Sequence, residues 1–236
     1  MKTSPIIALD FDSAEKTFAF LKAFEGDVNV KVGMQLYYKE GPAIIARLKE
    51  LGYDIFLDLK LHDIPNTVKS SMEVLAGLGI NLINVHAAGG KTMMEAALEG
   101  LDKGTSSGLV RPSLIGVTQL TSTDENQVRE EQLISVPLQE SVLHYAKLTK
   151  NSGLDGVVCS VHESAVIAEA CGNEFLKVTP GIRLADSGTH DQKRIATPEE
   201  AHLAGSTHIV VGRAITGAAD PRAAYEHINA SWRGTK

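Results

Sequence analysis

The chain is poor in several things that would have narrowed its chemistry early. Aromatic residues make only 5% of its 236 residues, with a single tryptophan, and there are two cysteines, Cys159 and Cys171, with no CxxC pair. A thiolate metal knuckle or a disulfide scaffold is therefore excluded, and buried thiols in a reducing compartment are the expected state of both cysteines. Basic residues are in deficit, 23 Lys and Arg against 29 Asp and Glu, for a net charge of -6. That balance argues against non-specific binding to nucleic-acid backbones but permits a local cationic pocket. No long apolar run exists: the opening MKTSPIIALDF reaches Asp10 after a few apolar residues, which fits neither a secretory signal nor a membrane span and leads to the expectation of a soluble, cytoplasmic protein. No Ser/His/Asp order with a GxSxG elbow is present, and the first strand candidate is followed by LDFDSAEK rather than a glycine-rich dinucleotide loop.

What is present is a repeat of short β-branched runs. Strand candidates are PIIALD (5–10), VNVKVG (28–33), YDIFLDLK (53–60), INLINVHA (80–87), PSLIGVTQ (112–119), LDGVVCS (154–160), FLKVTPG (175–181) and THIVVGR (207–213). Helical periodicity follows each, near 13–25, 36–51, 65–78, 90–101, 136–152, 162–172, 197–204 and 220–232. Glycine commonly precedes the next strand, as in LKELGYD, LAGLGIN, TKNSGLDG and HLAGSTH. Eight units of about 29 residues predict one α/β domain over 1–236, a TIM (β/α)₈ barrel with its site at the carboxyl end of the strands. A doubly wound open sheet is the rival, since periodicity does not show whether the last strand closes on the first. Two loops are long, 119–136 and 181–196. Both lie at the carboxyl end, where they either cover a substrate or are tolerated insertions.

Charges stand where a barrel should be apolar. Asp10 ends the first strand, Lys31 lies in the second, and Asp58 and Lys60, two apart and so on one face, lie in the third, with Asp63 just beyond. One reading is a structural ion-pair network. The other is an alternating array in which carboxylates keep lysines protonated, suited to a reaction that develops negative charge on substrate carbon and then takes a proton from lysine. A Schiff-base lysine fits less well, because it must be neutral to attack. Asp58, Asp63 and His86 are a candidate metal set, opposed by two adjacent ammonium groups. His62 and His86 lie at strand ends; His86 either lines the pocket or holds its loop, and the other six histidines read as loop and helix residues. Ser160-Val161-His162 is a weak dyad candidate. In VVGRAIT, Gly212 and Arg213 suit a phosphate site of backbone amides and guanidinium, with Arg183, Gln192, Lys193 and Arg194 as further donors.

Together, ALD (8–10), KVG (31–33), DLKLHDIPNTV (58–68), NVHAAGG (84–90), TQLTS (118–122), VTPGIR (178–183) and VVGRAIT (210–216) closely resemble the orotidine 5'-phosphate decarboxylases in their bacterial form, over essentially the whole chain. DxKxxD alone is shared with other barrel enzymes, including Mg²⁺-using phosphosugar decarboxylases; LHDIPNT and TPGIR narrow the resemblance. It implies removal of CO₂ from C6 of orotidine 5'-monophosphate to give uridine 5'-monophosphate in pyrimidine biosynthesis, without metal or organic cofactor. It also implies a homodimer in which Lys31, Asp58 and Lys60 meet Asp63 and Thr67 across the interface. Lys60 would stabilise the C6 carbanion and protonate it, and Asp58 would face the departing carboxylate. Lys31 and Asp63 would hold the array and touch the ribose hydroxyls, and Asp10 would bind the ribose or the network. Thr121 would contact the pyrimidine, and Pro180 would flank the ring. Gln192, Gly212 and Arg213 would hold the phosphate, supported by Arg183. The alternatives are a Mg²⁺-dependent phosphosugar decarboxylase or epimerase on the same barrel, and a phosphate-ligand binding protein without turnover.

Overall fold

Strand residues alternate between two apolar environments, and that alternation builds the molecule. Ile6, Ala8, Phe56, Leu82, Ile115, Val178 and Val210 form one buried cluster; their neighbours Ile7, Leu9, Ile55, Leu57, Ile83, Ile209 and Val211 belong to another, shared with the helices. The first set fills the inside of a barrel and the second faces an outer helical layer. The computed structural model describes residues 1, 3–24, 28–184 and 194–235.

Eight parallel strands run in chain order: β1 (Ile6–Ala8), β2 (Asn29–Gly33), β3 (Asp54–Leu61), β4 (Leu82–His86), β5 (Ser113–Val117), β6 (Gly156–Val158), β7 (Leu176–Thr179) and β8 (His208–Val211). β1 pairs with β2 and also with β8, so the sheet closes, and the open-sheet alternative falls. The helices are α1 (Ala14–Leu21), α2 (Met34–Glu40), α3 (Pro42–Glu50), α4 (Pro65–Ala76), α5 (Gly90–Gly104), α6 (Leu138–Asn151), α7 (Ser164–Cys171), α8 (Pro198–Leu203), α9 (Arg213–Thr216) and α10 (Pro221–Trp232).

Local chemistry explains the boundaries. Ser13 and Asp220 cap α1 and α10 through their side chains, and Thr197 with Glu200 forms a capping box ahead of Pro198 at α8. The helix expected over 36–51 is two helices, because Gly41 turns the chain at φ 64° and Pro42 starts α3. Residues expected to open a helix at 162 instead form a 3₁₀ turn, Val161–Glu163, and the long segment after β5 holds a π-helical turn, Gln127–Glu131. The glycines expected before strands, Gly52, Gly79, Gly153 and Gly205, all adopt positive φ, which a side chain would resist. Both cysteines are buried and unpaired.

Two buried polar residues escape the sequence pattern. His208, counted with the loop and helix histidines although the strand candidate 207–213 already held it, lies in β8, 8% exposed. Lys177 in β7 is 1% exposed. Among the described residues no helix is long and apolar enough to cross a membrane.

Candidate active site

The interior column of β3 changes character along its length: Phe56 fills the barrel, and Asp58 stands one pleat higher at the carboxyl mouth, 8% exposed. β2 sits beside it in register, Gly33 opposite Asp58, which brings Lys31 within reach. Lys31 Nζ is 3.4 Å from Asp58 Oδ2 and 3.0 Å from Asp10 Oδ1; Lys60 Nζ is 2.6 Å from Asp58 Oδ1. The result is an alternating chain, Asp10, Lys31, Asp58, Lys60. A Cβ on Gly33 would stand 3.2 Å from Lys31 Nζ and 3.4 Å from Asp10 Oδ1, so glycine at this position leaves the array its room.

Lys60 does not follow the regular pleat from which its facing was expected. Its φ is 53°, and the β3–β4 register shifts between Leu57 and Leu61. A lysine in the left-handed region is uncommon and costs conformational energy unless its surroundings hold it. Asn84 provides that hold from β4. Its Oδ1 accepts from the Lys60 amide at 2.8 Å, and its Nδ2 donates to Asp58 Oδ1 at 2.7 Å. Asn84 is fully buried and was not among the candidate residues; a lone amide inside the apolar run LINVH was the available signal.

Pairing outweighs burial at Asp58 and Lys31. Burial works against the Asp58 carboxylate, but the charges of Lys31 and Lys60 and the hydrogen bonds from Lys60 and Asn84 hold it below the usual carboxylate range. Burial likewise opposes the Lys31 ammonium, yet Asp58 and Asp10 raise its pKa above the ordinary lysine value. His86 is half-buried, its ring 5.6 Å from that of His62. Burial, then the positive charges of His62 and Lys60, lower its pKa. Among the described residues no three His, Cys, Asp or Glu side chains gather as a metal site.

The array forms one wall of a cavity of about 420 Å³ at the barrel mouth. Asp10, Lys31, Asp58, Lys60, Thr121, Pro180, Arg183, Gly212 and Arg213, nine of the residues singled out in the sequence, all line it. Gln192 and Lys193 lie outside the described residues. Arg194 was a further candidate donor to a phosphate, but its guanidinium is turned onto Glu163 and the carbonyls of Gln119 and Leu120. The Ser160–His162 dyad does not form, because Ser160 caps the 3₁₀ turn with Glu163 while His162 is exposed.

Asp63 and Thr67 are not brought to the array within this chain. Both are exposed, and Asp63 Oδ1 accepts from the Ile64 amide at 2.7 Å. They line a separate groove of about 730 Å³ with Met34, Tyr37 and Tyr38, and Lys60 borders both spaces.

Fold and site together define a (β/α)₈-barrel enzyme that receives a small ligand at the carboxyl mouth, against a lysine and aspartate array. The chain belongs to the orotidine 5'-phosphate decarboxylase / HUMPS family, whose model matches residues 3–228. It is 63% identical over 232 residues to an orotidine 5'-phosphate decarboxylase of Lysinibacillus sphaericus, covering 98% of this chain and 99% of that one. To the orotidine 5'-phosphate decarboxylase of Bacillus caldolyticus it is 60% identical over 235 residues, covering 99% and 96%. The crystal structure of orotidine 5'-phosphate decarboxylase from Lactobacillus acidophilus superposes with a TM-score of 0.88 at 46% identity, covering 97% of this chain and 98% of that one.

Proposed function

We propose that the chain decarboxylates orotidine 5'-monophosphate to uridine 5'-monophosphate without a metal or organic cofactor. The observation that carries this reading is the unbroken Asp10, Lys31, Asp58, Lys60 chain at the mouth of the cavity. The bond from C6 to the carboxylate breaks with its electron pair left on C6, CO₂ departs, and Lys60 Nζ gives C6 the proton that replaces it. Asp58, held ionised by its partners, stands where the substrate carboxylate would enter and disfavours a second negative charge beside it. The same fixed charges favour a carbanion next to Lys60. Thr121 and Pro180 border the pyrimidine end of the cavity. Arg183, Gln192, Gly212 and Arg213 serve the phosphate, whose binding energy is remote from C6 and available to lower the barrier there.

The reading includes a homodimer. The groove holding Asp63 and Thr67 is bordered by Tyr38 and Val74, each more than 60% exposed, and Lys60 joins it to the cavity. A two-fold pairing of such grooves carries Asp63 of one copy to the array of the other. Single-domain organisation over 1–236 and a cytoplasmic location belong to the same reading, the latter supported by two unpaired cysteines.

The test is CO₂ release from orotidylate after exhaustive chelation. Undiminished turnover supports the reading, whereas turnover that returns only with Mg²⁺ favours the phosphosugar class. Mixing Lys60→Ala with Asp63→Ala chains checks the shared site: activity above that of either variant alone is expected if Asp63 crosses the interface, and none if it does not.

A further inference from the structure

Arg194 touches nothing in the array, yet its guanidinium joins three segments. Nη1 pairs with the carboxylate of Glu163 and lies 3.4 Å from Ser160 Oγ, at the exit of β6. Nη2 donates to the carbonyls of Gln119 at 3.3 Å and Leu120 at 2.8 Å, in the segment after β5. Arg194 itself ends the segment after β7. Glu163 is fixed from its other side, where Oε2 accepts from the Ser160 amide at 2.7 Å. Its side chain is 6% exposed, and that of Arg194 is 13% exposed. Two charges buried this deeply are costly unless paired, and here both Nη atoms of Arg194 have partners while its buried Nε has none among the described residues.

The placement of these contacts gives them a consequence for the cavity. The carbonyls held by Arg194 belong to the two residues directly before Thr121 and Ser122, which line the cavity. At the other end of the segment after β7, the Arg183 amide donates to the Ala196 carbonyl at 2.9 Å and the Ala196 amide donates to Gly181 at 3.2 Å. Gly181 and Arg183 also line the cavity. The Thr121 side and the Arg183 side are therefore tied to one guanidinium.

We propose that Glu163 and Arg194 are a positioning pair that holds the Gln119 and Leu120 carbonyls in register with the Gly181–Arg183 backbone, so that Thr121 and Arg183 meet a nucleotide together. The proposal rests on orotidylate as substrate. Neither residue lines the cavity, and both act through its lining, chiefly through Thr121, whose preceding carbonyls the guanidinium holds directly. A lysine at 194 keeps a charge beside Glu163 but lacks the planar fork that reaches two carbonyls at once.

The wild-type chain is assayed on orotidylate first; if it shows no turnover, the substrate reading fails and takes this proposal with it. With turnover established, Arg194→Lys is expected to raise KM about tenfold with a smaller change in kcat. Glu163→Gln, which keeps an acceptor for the Ser160 amide, is expected to move KM in the same direction by less. In combination with Thr121→Ala, Arg194→Lys should add little further to KM, because both changes remove the same contact. A loss of general packing would not produce that non-additivity. KM within about twofold of wild type in Arg194→Lys, or effects of Arg194→Lys and Thr121→Ala that multiply, would overturn the proposal. If Arg194→Lys does not fold, Glu163→Gln alone and with Thr121→Ala decides by the same criteria.

Discussion

Two lysines largely withdrawn from solvent, one at the mouth of the barrel and one in its wall, meet opposite electrostatic fates. Lys31 faces Asp58 and Asp10, and their charges overcome burial and raise its pKa. Lys177, on the outer face of β7, donates to the carbonyls of Asn173 at 3.0 Å and Phe175 at 2.9 Å. With burial uncompensated by a paired carboxylate, its pKa is lowered. The wall lysine ties the turn between α7 and β7, a structural task. Burial of a charge does not by itself mark a chemical site; the array is marked by carboxylates that keep its charges in place beside an open cavity. His208, at the amino-terminal end of β8, extends the contrast. Burial, followed by the charge of the chain's own amino terminus, pulls its pKa down to about 4, so it sits in the fold as a neutral ring.

The comparison can be broken at either end. The largest effect is expected from Asp58→Asn, which leaves two lysines without the carboxylate between them. Turnover of orotidylate should fall by roughly a thousandfold or more, and a loss below about tenfold would reduce the array to packing. Next comes acid sensitivity at His208. Folded His208 stays neutral while an unfolded chain takes up a proton below about pH 6.5, so its stabilising contribution is present above that pH and is lost as pH falls toward 4. The loss is at most about 3 kcal/mol. Urea titrations between pH 7 and 4.5 should show a steeper decline for wild type than for His208→Phe, and parallel curves would remove His208 from the account. Asn84→Ala should lower kcat about tenfold by freeing Asp58 and the strained Lys60 backbone, and a change in KM alone would argue against that positioning role. The smallest effect is assigned to Lys177→Met: about 1–2 kcal/mol of stability from two carbonyls losing their donor, read by thermal or urea melting. Its turnover should stay within about twofold of wild type, in contrast with Asp58→Asn.

Much of the architecture was legible because each βα unit carries its own signals. Eight apolar runs, helical periodicity between them and glycine at the returns suffice for eight parallel βα units, the number that a barrel takes. Closure was not legible, since the pairing of β1 with β8 joins residues about two hundred apart in sequence. The charged residues of the site stood out because they violate the hydrophobic pattern at strand ends. Asn84 did not stand out: an amide carries no charge, and its meaning depends on Asp58 and the Lys60 amide in the neighbouring strand. Lys60 looked like a regular in-phase residue, and only the register shift to β4 reveals its left-handed backbone. Arg194 was visible as a cation but not as Glu163's partner, because long-range pairing leaves no local trace. Asp63 lies beyond the end of β3, and within one chain its side chain faces a different space from the array.

In the proposed function the array carries the chemistry while the far side of the cavity carries affinity. Lys60→Ala measures this most directly, with nucleotide binding followed by calorimetry and CO₂ release followed in the same preparation. Uridine 5'-monophosphate is expected still to bind while orotidylate turnover drops by about a thousandfold or more. Near-wild-type turnover in that variant would contradict it.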